Sequence, residues 1–287
     1  NQKYVSSLFD QIMARHGSSV ETLADAVIHA RNMQDGLPNI LKRPFCEAEL
    51  LRNESIESFL HSRLLTQLLC EHYVSLNKGK LTGAVSIGAD VLDIIDDAVT
   101  KSKHVCDANL GIAPEICIQP DESIIDDFSP PPLIRSWLHH AIVEVSKNAM
   151  TSNIQRHLTQ QSSTGSIPPS VFIGIEKESV GELSSQGWLK IRIMDQGIGI
   201  KNKEEAFHFA QSSSQKRWDR LDEQQSYAAV RQPLGSLGVG LTISRLMMKV
   251  FGGDLHLSNH EKTRTGLDSG CTATLTIDCD DTYIAEN

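Results

Sequence analysis

The sequence is poor in the features that would fix its class at sight. Its six cysteines, Cys46, Cys70, Cys106, Cys117, Cys271 and Cys279, form no C-x-x-C pair, so neither a zinc site nor a disulfide framework is indicated. Most lie in apolar-patterned segments, and we read them as buried free thiols of a reducing compartment. Basic residues are in the minority, 27 Lys plus Arg against 36 Asp plus Glu for a formal charge of -9. That balance argues against a broad nucleic-acid-binding surface and leaves room only for local basic patches. There is no run of 18 apolar residues, no charged-then-apolar leader and no initial Met, so we expect a soluble, trimmed protein without a membrane span. No internal repeat is found. What is present is a globular composition, 40% hydrophobic and 22% charged over 287 residues. A chain of that length buries about 75% of its unfolded surface, in one large domain or two ordinary ones.

The first third reads as helix by period. Ser18-x-x-Glu21 is a capping-box signature ahead of Leu23, Ala26 and Val27, and Gly36-Leu37-Pro38 ends that segment. From about 54 to 76, Ile56, Leu60, Leu64 and Leu68 recur at steps of four, with Phe59, Leu65 and Leu69 widening the stripe. A further helix from Asp90 carries Val91, Ile94, Ile95, Ala98, Val99 and Val105 on one face. Three such stripes imply a bundle. Beyond Gly111 the pattern changes. "EICIQ" at 115–119 alternates like a strand, and Pro130, Pro131 and Pro132 open a long helix. Strands are expected at 170–178 and 188–195, then a helix "LTISRLMMKVF" with a stripe at Leu241, Leu246 and Val250, and strands "DLHLS" and "TATLTID". The fold class is therefore α+β: a helical bundle over 1–112 and an α/β sandwich over 113–287.

Four places could carry chemistry. In "HAIVEVSKNAM" (140–150), the long helix buries Ile134, Trp137, Leu138, Ala141, Val145 and Ala149, while His140, Glu144 and Asn148 stack on the flank at steps of four. Alone, this is equally an ordinary solvated flank with a His–Glu pair. "DQGIGI" (195–200) sits where a strand ends, so Asp195 is at a sheet rim and Gly197 and Gly199 permit close backbone approach. A tight turn explains it as well. "PLGSLGVGLTISRL" (233–246) is a glycine-rich loop entering a helix, an arrangement of backbone N–H groups suited to phosphates. It is neither a P-loop nor a Rossmann turn, and a plain hinge is the alternative. Upstream, the polar stretch 210–232 suggests a flap that orders on a ligand.

In this order, the four pieces resemble the GHKL (Bergerat-fold) ATP-binding family, which includes gyrase-type ATPases, histidine kinases, heat-shock chaperones of that fold and mitochondrial dehydrogenase kinases. "EVSKN" is similar to the N box, "DQGIGI" to the first glycine box, "AFHFAQSSS" to the phenylalanine box and "GSLGVGL" to the second glycine box. The helices "ARHGSSVETLADAV" (14–27) and "ESFLHSRLLTQLLCEHY" (57–73) extend the resemblance to the mitochondrial kinases of pyruvate and branched-chain 2-oxoacid dehydrogenases. By it, the N-terminal portion of the helical bundle is missing from this chain.

The resemblance implies residue roles. Glu144 would be the general base for a substrate serine, His140 would tune it, and Asn148 would ligate Mg²⁺. Asp195 would accept from the adenine amino group, with Gly197 and Gly199 close to the base. Ser236, Leu237, Gly238, Val239, Gly240 and Leu241 would line the phosphates, and Gly270 with Thr272 would close the adenine end. Three residues depart from the family pattern: Ser236 and Cys271 stand where glycine and threonine are usual, and Thr151 where arginine is common. The sequence also stops after "TIDCDDTYIAEN" without the family's tail and its Asp-Trp pair.

The resemblance further implies ATP and Mg²⁺ as cofactors and a mitochondrial matrix location, with no transit peptide in this chain. The implied partners are the decarboxylase component of a 2-oxoacid dehydrogenase complex as substrate, the lipoyl domain of its acyltransferase core as docking site, and a second copy in a homodimer. Nucleic acid is not expected as a partner. Two rival readings stay open: a two-component-like histidine kinase with His61 as phosphoacceptor, and a catalytically silent ATP-sensing scaffold.

Overall fold

The computed structural model describes residues 2–16, 18–35, 39–121, 124, 131–160, 167–179, 187–210, 238–250, 252–261 and 269–279. Among the described residues four helices come first: α1 (Gln2–His16), α2 (Ser19–Asp35), α3 (Asn39–Asn77) and α4 (Val91–Leu110). They are followed by β1 (Ile116–Pro120), α5 (Arg135–Gln160), β2 (Val171–Ser179), β3 (Gly187–Met194), a 3₁₀ turn (Glu205–Phe207), α6 (Gly240–Val250), β4 (Asp254–His260) and β5 (Gly270–Asp278). The order is that of an α+β protein, helices first and a mixed helix-and-sheet layer after. No described helix is long and apolar enough to cross a membrane.

The stripe on α3 is narrower than the sequence suggests. Ile56, Leu60 and Leu64 are buried, but Phe59 and Leu69 are exposed. The helix also starts at Asn39, well ahead of 54. α4 begins where Asp90 accepts hydrogen bonds from the N–H groups of Leu92 (2.9 Å) and Asp93 (3.2 Å), a side-chain cap for two otherwise unpaired donors. It ends at Gly111, whose left-handed φ of 70° lets its N–H reach Asp107 O. The seam of α4 against α5 is tied by Arg135, which pairs with Asp93 and Asp97.

The prolines do not open α5. Leu133 exchanges both backbone hydrogen bonds with Ser86, so helical geometry starts only at Arg135; proline also disfavours helix in the residue before it. α5 is not one-faced either. From Ala141 to Met150 only Asn148 is exposed, since the sheet, α4 and α6 surround the helix, and a helix so enclosed is apolar nearly all round.

The five strands among the described residues run β1-β2-β3-β5-β4, with β1 parallel to β2 and the other pairs antiparallel. Alternation puts Ile175, Ile191, Leu275 and Leu255 in register on the face under the helices, all at most 2% exposed. The opposite face carries Thr274, Thr276 and the Arg192–Glu176 pair. On α6 the buried side is Thr242, Ser244, Leu246, Met247 and Met248 rather than a Leu241–Leu246–Val250 stripe. One continuous cluster of buried side chains joins α2–α4 to the sheet layer. Cys70, Cys106 and Cys271 are buried thiols without disulfides.

Candidate active site

α5 positions both ends of the candidate site. Glu144 and Lys147, one turn apart, are each only 9% exposed, and the Lys147 ammonium donates to Glu144 Oε1 at 2.5 Å. The other carboxylate oxygen faces the start of α6: a Cβ on Gly240 would collide with Glu144 Oε2 and lie 3.0 Å from its carboxyl carbon. Glycine at 240 is thus what lets the carboxylate lie against a helix N-terminus, where backbone dipoles favour negative charge. Gly238 precedes it at φ 73°. Val239 and Leu241 are half-buried on the core. Ser236 and Leu237 lie outside the described residues, as does most of the polar flap after Ala210.

His140 makes no hydrogen bond to Glu144, and its Nε2 is buried without a partner among the described residues. Burial holds its imidazole below the usual histidine range; Glu144 opposes that shift, while Lys147, Lys101 and His139 add to it. The unfolded chain therefore binds the proton first as pH falls through the ordinary value of 6.5, and stability present above that pH is lost below it, down to the depressed value. Thermal melts from about pH 7.5 to about pH 5 should show a larger loss for the wild-type chain than for His140→Gln. Equal losses would remove His140 as the source.

Asn148, one turn beyond Glu144, is exposed, and its amide makes no hydrogen bond among the described residues. No cluster of three His, Cys, Asp or Glu side chains that could hold a metal occurs among the described residues. A single free amide oxygen suits a Mg²⁺ ion whose remaining ligands are phosphates and waters.

The other end is built around Asp195, 6% exposed. Its Oδ1 accepts the N–H groups of Gly197 (2.8 Å) and Cys271 (3.1 Å), and its own N–H donates to Cys271 O at 2.9 Å. Oδ2 takes no hydrogen bond among the described residues. Burial pushes this carboxyl up, against the pull of those two N–H groups and of His260 and Arg156. Gly270 is pressed on the Asp195 backbone, and a Cβ there would collide with its carbonyl oxygen. At Gly199, φ 70°, the backbone turns so that Asn259 brackets Ile200, accepting from its N–H at 2.9 Å and donating to its O at 2.7 Å.

Cys271 sits beside Asp195, its thiol pushed up to about 12 by burial and by that carboxylate. Thr272 is not brought into this group. One residue on along the strand it faces the other side of the sheet, with its hydroxyl 2.9 Å from His260 Nδ1.

The sequence reading passed over several residues that hold the site. Lys147 is one, although a lysine three residues from a glutamate in a buried run is a signal. Asn153 and Arg156 on α5 and Asn259 on β4 are the others. Thr242, whose hydroxyl donates to Phe207 O at 2.7 Å, and Arg245, 4.5 Å over the Phe207 ring and bidentate to Asp254, fasten the 3₁₀ turn to α6. His61 is exposed on α3.

A mixed sheet covered by helices on one face, with a buried aspartate at a glycine turn and a glycine-started helix on a buried glutamate, is the architecture of an ATPase domain. The family model described as histidine kinase-, DNA gyrase B-, and HSP90-like ATPase matches residues 134–281, and the chain belongs to that family. Over its length it is similar to mitochondrial [pyruvate dehydrogenase (acetyl-transferring)] kinases. The isozyme 4 kinase of Ictidomys tridecemlineatus is 27% identical over 274 residues, covering 90% of this chain and 59% of that protein. The human isozyme 4 kinase is 26% identical over 276 residues, with the same two coverages. The Drosophila melanogaster kinase is 27% identical over 276 residues, 91% of this chain and 60% of that protein. The chain thus spans about three fifths of the length of the curated relatives it matches.

Proposed function

We propose that this chain is the ATP-binding part of a protein serine kinase that phosphorylates, and so inactivates, the decarboxylase component of a mitochondrial 2-oxoacid dehydrogenase complex. The observation that carries the reading is the buried Glu144 carboxylate lying against Gly240 at the start of α6, with Asn148 exposed one turn away. Glu144 and Ser152, the first α5 residue to touch the Asp195 turn, are separated by about 12 Å of helix axis at 1.5 Å per residue. A nucleotide lying along α5 would place its base at Asp195 and its terminal phosphate near Glu144.

ATP would supply the phosphoryl group, and Mg²⁺ held by Asn148 would neutralise charge on it. The chain's own part is positioning and proton handling. Asp195 Oδ2 accepts from the adenine amino group. The N–H groups at Gly238–Gly240 face the phosphates. Glu144 takes the serine proton while Lys147 keeps its carboxylate anchored. The names of the kinases above favour pyruvate dehydrogenase over its branched-chain counterpart and a mitochondrial location; the matrix, lipoyl-domain docking and a homodimer rest on the family resemblance of the sequence alone.

Incubation with radiolabelled ATP and both purified complexes should label the decarboxylase of the pyruvate complex on serine. Labelling only of the branched-chain complex would move the target. ATP binding without any transfer would favour the silent scaffold, and acid-labile label on His61 the histidine kinase.

A further inference from the structure

Arg156, on α5 beyond every motif of the sequence, reaches across the two backbone segments that enclose Asp195. Its guanidinium donates to Gln196 O at 2.9 Å, to Gly197 O at 3.5 Å and to Ser269 O at 2.6 Å. The first of these carbonyls belongs to the peptide unit whose N–H, on Gly197, donates to Asp195 Oδ1. The same peptide plane is held at its oxygen by Arg156 and at its nitrogen by the carboxylate. The third carbonyl, on Ser269, immediately precedes Gly270 and Cys271, whose N–H is the second donor to Oδ1. Both donors to Oδ1 are therefore set by segments that one guanidinium nitrogen, Nη1, ties together.

The rest of the turn is fixed from the same helix. Asn153, fully buried, accepts the Gln196 N–H at 2.7 Å and donates to Pro169 O at 2.8 Å. Ser152 accepts from the Ile198 N–H at 3.2 Å. These bonds orient the downstream side of the turn. Arg156 joins that side to the segment before β5 through Ser269, 113 residues from Arg156 in sequence.

We propose that Arg156 is a positioning residue for base recognition: by fixing both backbone donors on Asp195 Oδ1 it keeps Oδ2 as the acceptor that selects a 6-amino purine over a 6-oxo purine. The proposal rests on the nucleotide-binding reading above. Without the bridge, either backbone segment can withdraw, the carboxylate rotates towards water, and the preference for an amino group falls while the phosphate end of the site is untouched.

The test is calorimetric titration of the chain with ATP and with inosine triphosphate, which presents a carbonyl oxygen where ATP presents the amino group. The wild-type chain should prefer ATP, and Arg156→Gln should lose about tenfold of that preference, the scale of one hydrogen bond to a charged group, with affinity for inosine triphosphate held within about twofold. Arg156→Met, which removes every donor and keeps much of the length, should lose the preference as well; it also serves if Arg156→Gln does not fold. A variant that binds both nucleotides equally more weakly, with the wild-type preference intact and a lower Tm, would make Arg156 a general structural residue and overturn the proposal. A wild-type chain with no preference would overturn the role of Asp195 along with it, which separates failure of the nucleotide reading from failure of this one.

Discussion

Glu144→Gln is expected to bind ATP and to transfer about 10²- to 10⁴-fold less phosphate to the decarboxylase serine, the range over which positioned general bases act. It is also expected to be unstable, for a reason that has nothing to do with catalysis. Glu144 and Lys147 form a buried ion pair, and removing one charge leaves the other without compensation at a cost of about 3 kcal/mol. A drop in activity alone would therefore confuse a lost base with a loosened helix. The double variant Glu144→Gln with Lys147→Met separates the two. With both charges removed no buried ion is left without its partner, so most of the lost Tm should return. Transfer should stay at the level of the single variant. Transfer that returned with stability would eliminate Glu144 as the base.

The same pair shows where the sequence is legible and where it is not. Periodicity marks the helices and the alternating strands because each depends on residues near one another in the chain. It also marks Glu144, Asn148 and Asp195 as polar residues on apolar elements, with their roles left to the proposal. It does not reveal that α5 is enclosed on nearly all sides, because enclosure depends on α4, α6 and the sheet arriving together. The Gly240–Glu144 contact joins residues nearly a hundred positions apart. The partners of Arg156 and Asn153 are backbone carbonyls and an N–H, which no letter of the sequence encodes. Thr272 lies apart from Asp195 for a simpler reason: a strand turns successive side chains to opposite faces, so the residue after Cys271 faces the other side of the sheet. The backbone N–H of Cys271 still reaches Asp195, and a backbone donor is indifferent to the side chain that replaced threonine.

Gly270→Ala is expected to weaken nucleotide binding sharply while leaving the fold assembled. A Cβ at this position would collide with the Asp195 carbonyl oxygen and come within 2.8 Å of its carbonyl carbon and 2.9 Å of Oδ1. Backbone atoms cannot rotate aside, so the relief must come from β5 moving away from the end of β3. That movement breaks the Asp195 N–H bond to Cys271 O and the Cys271 N–H bond to Oδ1, and with them the orientation of the carboxylate. Overpacking of this kind costs about 1–3 kcal/mol, which a sheet of five strands tolerates, but the loss is concentrated on the two bonds that define the base end of the site. Calorimetric titration should show ATP affinity lowered by more than about tenfold, the scale of the one hydrogen bond that a turned carboxylate no longer offers the base. Gly174→Ala is the matched control: it lies on β2, where the nearest atom to an added Cβ is the Met194 methyl at 4.0 Å, and it should bind ATP like the wild-type chain. Wild-type affinity in Gly270→Ala would mean that the nucleotide does not depend on Asp195 as the β3–β5 junction holds it, and the base end of the site would have to be sought elsewhere along α5.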